Sequence, residues 1–147
     1  MNCSLEADSQ RTGTGTKISV VIADDSELYC EMLKMVVEAC PGLEVLSTVG
    51  DGCQTLNVVA AQHPDLVLMD LELPGINGLQ SMALLREYHP ATRVIIITTD
   101  DSDEVRATCL AQGADGFISK RRLHPELRLR IAEVFSDSAL GSFPTVG

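Results

Sequence analysis

The chain has 147 residues, of which 45% are hydrophobic and 22% charged, as expected for one globular domain with little room for a second. Its formal net charge of -10 argues against direct binding to nucleic acid or an anionic membrane, since both favour clustered lysine and arginine. No apolar stretch reaches membrane-spanning length, and the five cysteines form no CxxC pair. We therefore expect free thiols and a cytoplasmic protein.

Composition divides the chain into three parts. Residues 1–16 are rich in serine, threonine and glycine, which predicts a flexible leader. Residues 136–147 are small and polar and contain glycine and proline, which is typical of a tail or the start of a linker. The segment 17–135 carries all the periodic patterns, so it is predicted to be the folded domain.

Short apolar runs alternate with segments of helical period five times along this domain. The runs are 18–23, 43–49, 66–69, 94–97 and 116–119. Nearly continuous apolar runs of this length indicate strands that are covered on both faces, as in a parallel sheet. The alternation therefore predicts an α/β fold, a doubly wound (βα)5 sheet, while the strand order stays open at this point.

The helical segments carry their own start signals and apolar faces. In the first, the predicted buried face is Leu28, Met32, Met35, Val36 and Ala39. The second, third and fourth are predicted to start at or near an Asp or Asn that Gln or Glu follows three residues later, as in a capping box: Asp51, Asn77 and Asp101. In the fifth, Pro125 lies near the first turn and the apolar face is Leu127, Ile131, Val134 and Phe135.

Polar residues follow four of the five predicted strands. Asp24 and Asp25 follow the first strand, Asp70 the third, Thr98 the fourth and Lys120 the fifth. The carboxyl ends of parallel strands meet at one edge of the sheet, where ligand sites form in this fold class. We therefore expect three carboxylates, a hydroxyl and an ammonium to lie close together. Each residue alone is ordinary as a cap, turn or strand end, so the prediction depends on the combination.

Such a cluster has a chemical logic. Three neighbouring carboxylates repel one another unless a cation lies between them, and all-oxygen ligands suit Mg²⁺. One carboxylate could then attack a phosphoryl donor and form an aspartyl phosphate. The metal and Lys120 would neutralise charge on the phosphoryl oxygens, and Thr98 would donate a hydrogen bond to one of them.

The segment from Lys17 to about Phe135 resembles the receiver domain of two-component response regulators, or CheY-like domain. Its acidic pair Asp24–Asp25 is similar to the metal-binding pair of that family. Residues 69–78, MDLELPGING, resemble the phosphorylation-loop motif, with Pro four residues and Gly eight residues past Asp70. Residues 113–120, GADGFISK, resemble the approach to the family's invariant lysine.

The resemblance implies a flavodoxin-like fold with strand order 2-1-3-4-5. It also implies that Asp70 accepts a phosphoryl group from a histidine kinase or a histidine phosphotransfer protein. The Mg²⁺ or Mn²⁺ ligands it implies are Asp25, Asp70 and the backbone carbonyl of Glu72, with Asp24 acting through water. A chain of this kind is not an enzyme on other substrates; it catalyses at most its own phosphorylation and dephosphorylation.

The resemblance also implies a switch and an output surface. Thr98 corresponds to the switch hydroxyl, and Phe117 stands where the family has a rotating aromatic residue. Phosphorylation would draw Thr98 inward and release Phe117, which changes the face formed by helix four, strand five and helix five. That face would bind an output domain or a second copy of the chain in a homodimer.

Some positions depart from the usual family pattern. Arg121 follows Lys120 where many members have proline, so proline gives no reason to expect a cis peptide there. Asn77 stands where Asp is frequent, and Glu72 and Asp100 occupy places that tune loss of the phosphoryl group. The GADGF segment is similar to receivers attached to LuxR-type DNA-binding domains. Nothing after Phe135 resembles a helix-turn-helix, so both a stand-alone receiver and one joined to an effector stay open.

Two other functions compete with the signalling switch. A receiver fold can serve as an interaction module that is independent of phosphorylation, and it would then bind its partner with or without Mg²⁺. A hydrolase with an aspartyl nucleophile is disfavoured because Glu72 stands where such phosphatases place a second Asp. His63, His89 and His124 lie beside proline at helix ends and resemble caps or surface residues rather than ligands.

Overall fold

The computed structural model describes residues 17–136, so the predicted leader at 1–16 and the tail beyond residue 136 lie outside the described residues. The strands are β1 (Ile18–Ala23), β2 (Leu43–Val49), β3 (Leu66–Met69), β4 (Arg93–Thr98) and β5 (Gly116–Ser119). The helices are α1 (Glu27–Glu38), α2 (Gly52–Gln62), α3 (Gly78–Tyr88), α4 (Asp103–Ala111) and α5 (Leu123–Phe135). A 3-10 turn at Lys120–Arg122 leads into α5. The predicted βα alternation is confirmed.

The five strands form one parallel sheet of order β2-β1-β3-β4-β5. This is the flavodoxin-like order that the family resemblance implies. The chain winds outward from β1 in both directions, so the order reverses between β1 and β3. At such a switch point the loops after the two strands diverge to opposite faces and leave a crevice beyond the carboxyl ends of the strands.

Helices cover both faces of the sheet. On one face α1 and α5 pack against the strands, and on the other α2, α3 and α4 do. The buried side chains of α5 are Leu123, Leu127, Ile131 and Phe135, while Val134 is half-buried. Between residues 17 and 136 no helix is long and apolar enough to cross a membrane.

The predicted buried face of α1 is wrong: Leu28, Met35 and Ala39 are exposed, and Met32 and Val36 are only half-buried. Leu28 and Met35 are 76% and 73% exposed, and the fully buried residues of this helix are Cys30, Leu33 and Val37. The helix has apolar residues around more than half of its circumference, so periodicity alone does not choose the side that docks. Packing against β1 and β2 makes that choice and leaves an apolar stripe on the surface.

This rotated face predicts unequal effects of two alanine substitutions in α1. Leu33→Ala should lower the free energy of unfolding by about 3 kcal/mol, because it opens a cavity in the core. Met35→Ala should change it by less than about 0.5 kcal/mol, because the methionine is exposed and both residues favour helices. Urea unfolding measures both values, and equal losses would contradict the orientation of α1.

The predicted capping residues are found in α2 and α3 but not in α4. Asn77 and Gln80 form a complete capping box. Asp51 caps α2, although the Gln54 side chain bonds to the N–H of Gly50 rather than to that of Asp51. Helix α4 begins one residue later than predicted, with Ser102 as its N-cap. The carboxylate of Asp101 instead accepts a hydrogen bond from Ser119, described below.

Candidate functional site

Three carboxylates converge beyond the carboxyl ends of β1 and β3. Asp24 directly follows β1 and Asp70 directly follows β3, and the N–H of Asp70 donates to the carbonyl of Ala23 (2.9 Å). This bond extends the pairing of the two strands into the site. Asp24, Asp25 and Asp70 each offer one oxygen, and these oxygens lie within 4.8 Å of one another. Asp24 and Asp70 are buried, whereas Asp25 is exposed.

Lys120 lies between the two buried carboxylates. Its Nζ is 2.7 Å from Oδ2 of Asp24 and 3.0 Å from Oδ2 of Asp70. The predicted cluster of acids and lysine is therefore brought together, and the lysine pairs with two of its acids directly. Burial acts to lower the pKa of Lys120, but its hydrogen bonds to Asp24 and Asp70 outweigh burial and the pKa is raised. The side chain therefore carries its positive charge at neutral pH.

Backbone amides hold the other oxygens of the same two carboxylates. Oδ1 of Asp24 accepts from the N–H of Ser26 (2.9 Å), and Oδ1 of Asp70 accepts from the N–H of Glu72 (3.1 Å). Burial raises the pKa of Asp24, and the hydrogen bonds from Lys120 and Ser26 oppose this shift. Each carboxylate is thus fixed on one side by its own turn and on the other by the lysine.

The donor set suits a hard divalent cation. Three carboxylates with one exposed member fit the preference of Mg²⁺ and Mn²⁺ for oxygen ligands, with room for water or phosphate oxygens. The neighbouring thiol of Cys30 is not a ligand candidate: it donates to the carbonyl of Asp24, and burial raises its pKa to about 11. Cys30, Cys40, Cys53 and Cys109 are free, as predicted, and Cys3 lies outside the described residues.

The two predicted switch residues lie outside this carboxylate cluster. Thr98 is buried at the end of β4, and its hydroxyl accepts from the N–H of Asp100 (3.3 Å) in the loop that follows. Phe117 is buried in the core on the α2–α4 side, where the Arg106 guanidinium lies 5.9 Å from its ring centroid. Their movement on phosphorylation stays a prediction.

The structure also shows a link between the end of β5 and the loop after β4, which sequence reasoning missed. Ser119 donates its hydroxyl hydrogen to the carboxylate of Asp101 (2.8 Å). Arg121 donates its N–H to the Ser119 hydroxyl (3.2 Å), and its guanidinium lies 3.5 Å from Asp101. Proline at position 121 could make neither contact. No peptide bond between residues 17 and 136 is cis.

Tyr29 is a second residue that sequence reasoning did not place at the site. Its ring lies against Lys120, with Nζ 4.2 Å from the ring centroid. Nothing in the sequence distinguishes Tyr29 from an ordinary half-buried residue of α1, since the contact joins residues far apart along the chain. Glu72, whose backbone carbonyl is a predicted metal ligand, donates its backbone N–H to the carboxylate of Asp70.

The fold and the site together define a doubly wound parallel α/β domain with an acid–lysine cluster at its switch point. The family model for the response regulator receiver domain matches residues 20–132, and the chain belongs to that family.

Individual relatives agree with this assignment. The chain is 32% identical over 111 residues to the transcriptional regulatory protein NarL of Mycobacterium tuberculosis, covering 76% of this chain and 51% of NarL. The solved receiver domain of that NarL superposes with a TM-score of 0.77 at 30% identity, covering 83% of this chain and 98% of that one. A DNA-binding response regulator of the LuxR family from Staphylococcus aureus gives 0.74 at 26% identity, covering 80% and 98%. The chain spans about half the length of the NarL relative it matches.

Proposed function

We propose that this domain is a phosphoacceptor signalling switch that receives a phosphoryl group on Asp70. The observation that carries the proposal is the placement of Asp70, a residue that is only 8% exposed. Its carboxylate lies 3.0 Å from the Lys120 ammonium and beside two further acids. A buried nucleophile with a fixed cation and a divalent-metal donor set is what transfer of a dianionic phosphoryl group requires.

In the proposed reaction, a carboxylate oxygen of Asp70 forms a bond to phosphorus while the bond from phosphorus to the donor breaks. With a phosphohistidine donor the leaving imidazole keeps the bonding electron pair and takes up a proton. Mg²⁺ held by Asp24, Asp25, Asp70 and the Glu72 carbonyl would supply charge neutralisation. Lys120 then moves its hydrogen bonds from the carboxylates to the phosphoryl oxygens.

The proposed output follows from the position of the switch residues. Thr98 ends β4 and Phe117 lies in β5, so their movement would reach the surface formed by α4, β5 and α5. We propose a cytoplasmic histidine kinase or histidine phosphotransfer protein as the donor. The α4–β5–α5 surface would bind an output domain or a second copy of the chain, with no direct contact to nucleic acid or membrane. Receiver domains generally act on no other substrate, and we propose the same here.

Replacing Asp70 tests this proposal directly. With a small phosphodonor and Mg²⁺, intact-mass measurement should show one added phosphoryl group on the unaltered domain and none on Asp70→Asn. Asp103→Asn is the matched control, because this exposed aspartate lies in the first turn of α4 and should leave labelling unchanged. Addition of EDTA should abolish labelling in every sample.

The same experiment separates the competing functions. An interaction module would gain no mass under any condition and would bind its partner equally well with Asp70→Asn. A hydrolase would release inorganic phosphate from unrelated phosphomonoesters with continued turnover. Labelling that persists in Asp70→Asn would place the acceptor elsewhere and end the proposal.

A further inference from the structure

We propose that Tyr29 is a positioning residue that holds the Lys120 ammonium beside Asp70 through the face of its aromatic ring. This inference rests on the proposed phosphoacceptor function and adds a residue that acts on the reaction through Lys120. Its basis is the 4.2 Å distance between Nζ of Lys120 and the centroid of the Tyr29 ring. That distance lies well within the range in which an ammonium is attracted to an aromatic face.

The ring completes the surroundings of the ammonium. Nζ of Lys120 is 2.7 Å from Asp24 and 3.0 Å from Asp70, so two of its three N–H groups are directed to carboxylates. The ring of Tyr29 lies against the same nitrogen. A lysine has a long flexible stem, and contacts on several sides restrict the positions that its charge can occupy.

An aromatic face suits a cation that must change partners. During phosphoryl transfer, Lys120 has to exchange carboxylate hydrogen bonds for bonds to the incoming oxygens. The attraction to a ring is not tied to one N–H direction, so the ring can retain the ammonium while its hydrogen bonds are redirected. A carboxylate in place of Tyr29 would compete with the phosphoryl group for the same N–H groups.

Tyr29 is itself anchored to the turn that holds Asp24. Its N–H donates to the Ser26 hydroxyl (3.1 Å), which caps α1, and the N–H of Ser26 donates to Asp24 (2.9 Å). The start of α1 therefore places both the ring and the carboxylate against Lys120. The contact between the Tyr29 ring and Lys120 is therefore part of the site and is not an isolated pair on the surface.

The ring and not the hydroxyl carries the proposed effect. Among the described residues, the Tyr29 hydroxyl is buried without a hydrogen-bond partner. Phenylalanine would keep the ring face and remove an unsatisfied polar group, whereas leucine would keep an apolar side chain and remove the ring. Tyr29→Phe and Tyr29→Leu therefore form a matched pair that separates cation binding from packing.

The first measurement is the initial rate of labelling by a small phosphodonor at saturating Mg²⁺. Tyr29→Leu should be slower by roughly 3- to 10-fold, the size expected for a largely desolvated cation–ring contact. Tyr29→Phe should stay within about twofold of the unaltered chain, since the ring face is kept. Tyr88→Leu removes an exposed tyrosine at the end of α3 and controls for loss of a tyrosine elsewhere.

The same substitutions in a Lys120→Met background test whether Tyr29 acts through the lysine. Without an ammonium, the difference in rate between tyrosine and leucine at position 29 should disappear. Melting curves identify a temperature at which all variants are folded, and rates are compared there. A second readout is the chemical shift of the Lys120 ε-methylene protons, which ring currents should displace in the unaltered chain and in Tyr29→Phe but not in Tyr29→Leu.

The outcomes distinguish this inference from the proposed function. If the unaltered chain gains no phosphoryl group, the phosphoacceptor function fails and the role of Tyr29 fails with it. If the chain is labelled but Tyr29→Leu keeps the full rate, only the role of Tyr29 is overturned. The role of Tyr29 is also overturned if Tyr29→Leu slows labelling by the same factor in the Lys120→Met background. It is overturned as well if the chemical shift of the Lys120 ε-methylene protons is the same in Tyr29→Leu and in the unaltered chain.

Discussion

Lys120→Met is expected to lower the free energy of unfolding of the metal-free domain by about 3 kcal/mol at neutral pH, the cost of removing one partner from a buried ion pair. Lys120 bonds to two carboxylates that are almost fully buried. The substitution keeps a chain of similar length but leaves these charges to repel each other. Urea unfolding in the presence of EDTA measures the loss.

The loss should depend on pH in a defined direction. Burial raises the pKa of Asp24, and removing Lys120 raises it further because the hydrogen bond that opposes the shift is gone. A carboxyl whose pKa is higher in the folded than in the unfolded chain reduces stability at pH values above its folded pKa. The deficit of Lys120→Met should therefore shrink as the pH falls through that folded pKa towards the ordinary value of 3.8.

Magnesium should reverse the deficit as well. A cation among the three carboxylates replaces the missing ammonium, and Mg²⁺ no longer has to displace Lys120 from Asp24. Mg²⁺ affinity should therefore rise in Lys120→Met. Lys34→Met removes the same unit of charge from an exposed position on α1 and should alter neither stability nor affinity appreciably. A deficit that Mg²⁺ leaves unchanged would contradict the proposal that Asp24, Asp25 and Asp70 bind Mg²⁺.

Gly78→Ala is expected to destabilise the fold by about 3 kcal/mol through overpacking and to weaken Mg²⁺ binding. A Cβ on Gly78 would lie 2.5 Å from the carbonyl oxygen of Asp70 and 2.6 Å from Cα of Leu71. Both neighbours are backbone atoms, so neither can rotate away. The clash should displace the turn after β3, in which the N–H of Glu72 donates to the Asp70 carboxylate.

The clash outweighs the helix propensity that alanine adds at the start of α3, which is about 1 kcal/mol at most. Gly50→Ala is the matched control, because its nearest non-neighbouring atoms are 4.0 Å away and its φ is not positive. That substitution should leave the unfolding midpoint and the Mg²⁺ titration nearly unchanged. If Gly78→Ala and Gly50→Ala had the same unfolding midpoint and the same Mg²⁺ titration, the turn after Asp70 would accommodate a Cβ at residue 78 and the prediction would be wrong.

The fold and the acidic site were largely predictable from local patterns. Each strand contains a short, mainly apolar run. Asp24, Asp70 and Lys120 directly follow β1, β3 and β5, and Thr98 is the last residue of β4. Parallel strands align their carboxyl ends, so adjacency in sequence becomes adjacency in space. The structure agrees for the acids and the lysine, while the hydroxyl of Thr98 is bonded to its own loop.

Details that depend on docking were not predictable in the same way. The buried side of α1 differs from the predicted side because this helix has apolar residues on several faces and only packing selects among them. Ser102 rather than Asp101 caps α4, and Asp101 bonds instead to Ser119, 18 residues away along the chain. Neither the packing of α1 against the sheet nor the hydrogen bond between Asp101 and Ser119 leaves a signal in local periodicity.

For Lys120, the sequence by itself determined a cation at the end of β5 and three acids at the ends of β1 and β3. The tertiary structure decided its partners: Asp24, 96 residues away, Asp70, 50 residues away, and the ring of Tyr29. The physical reason is that residue type and strand position are encoded locally, whereas the pairing of a flexible ammonium depends on which buried charges and rings packing places within a few ångströms.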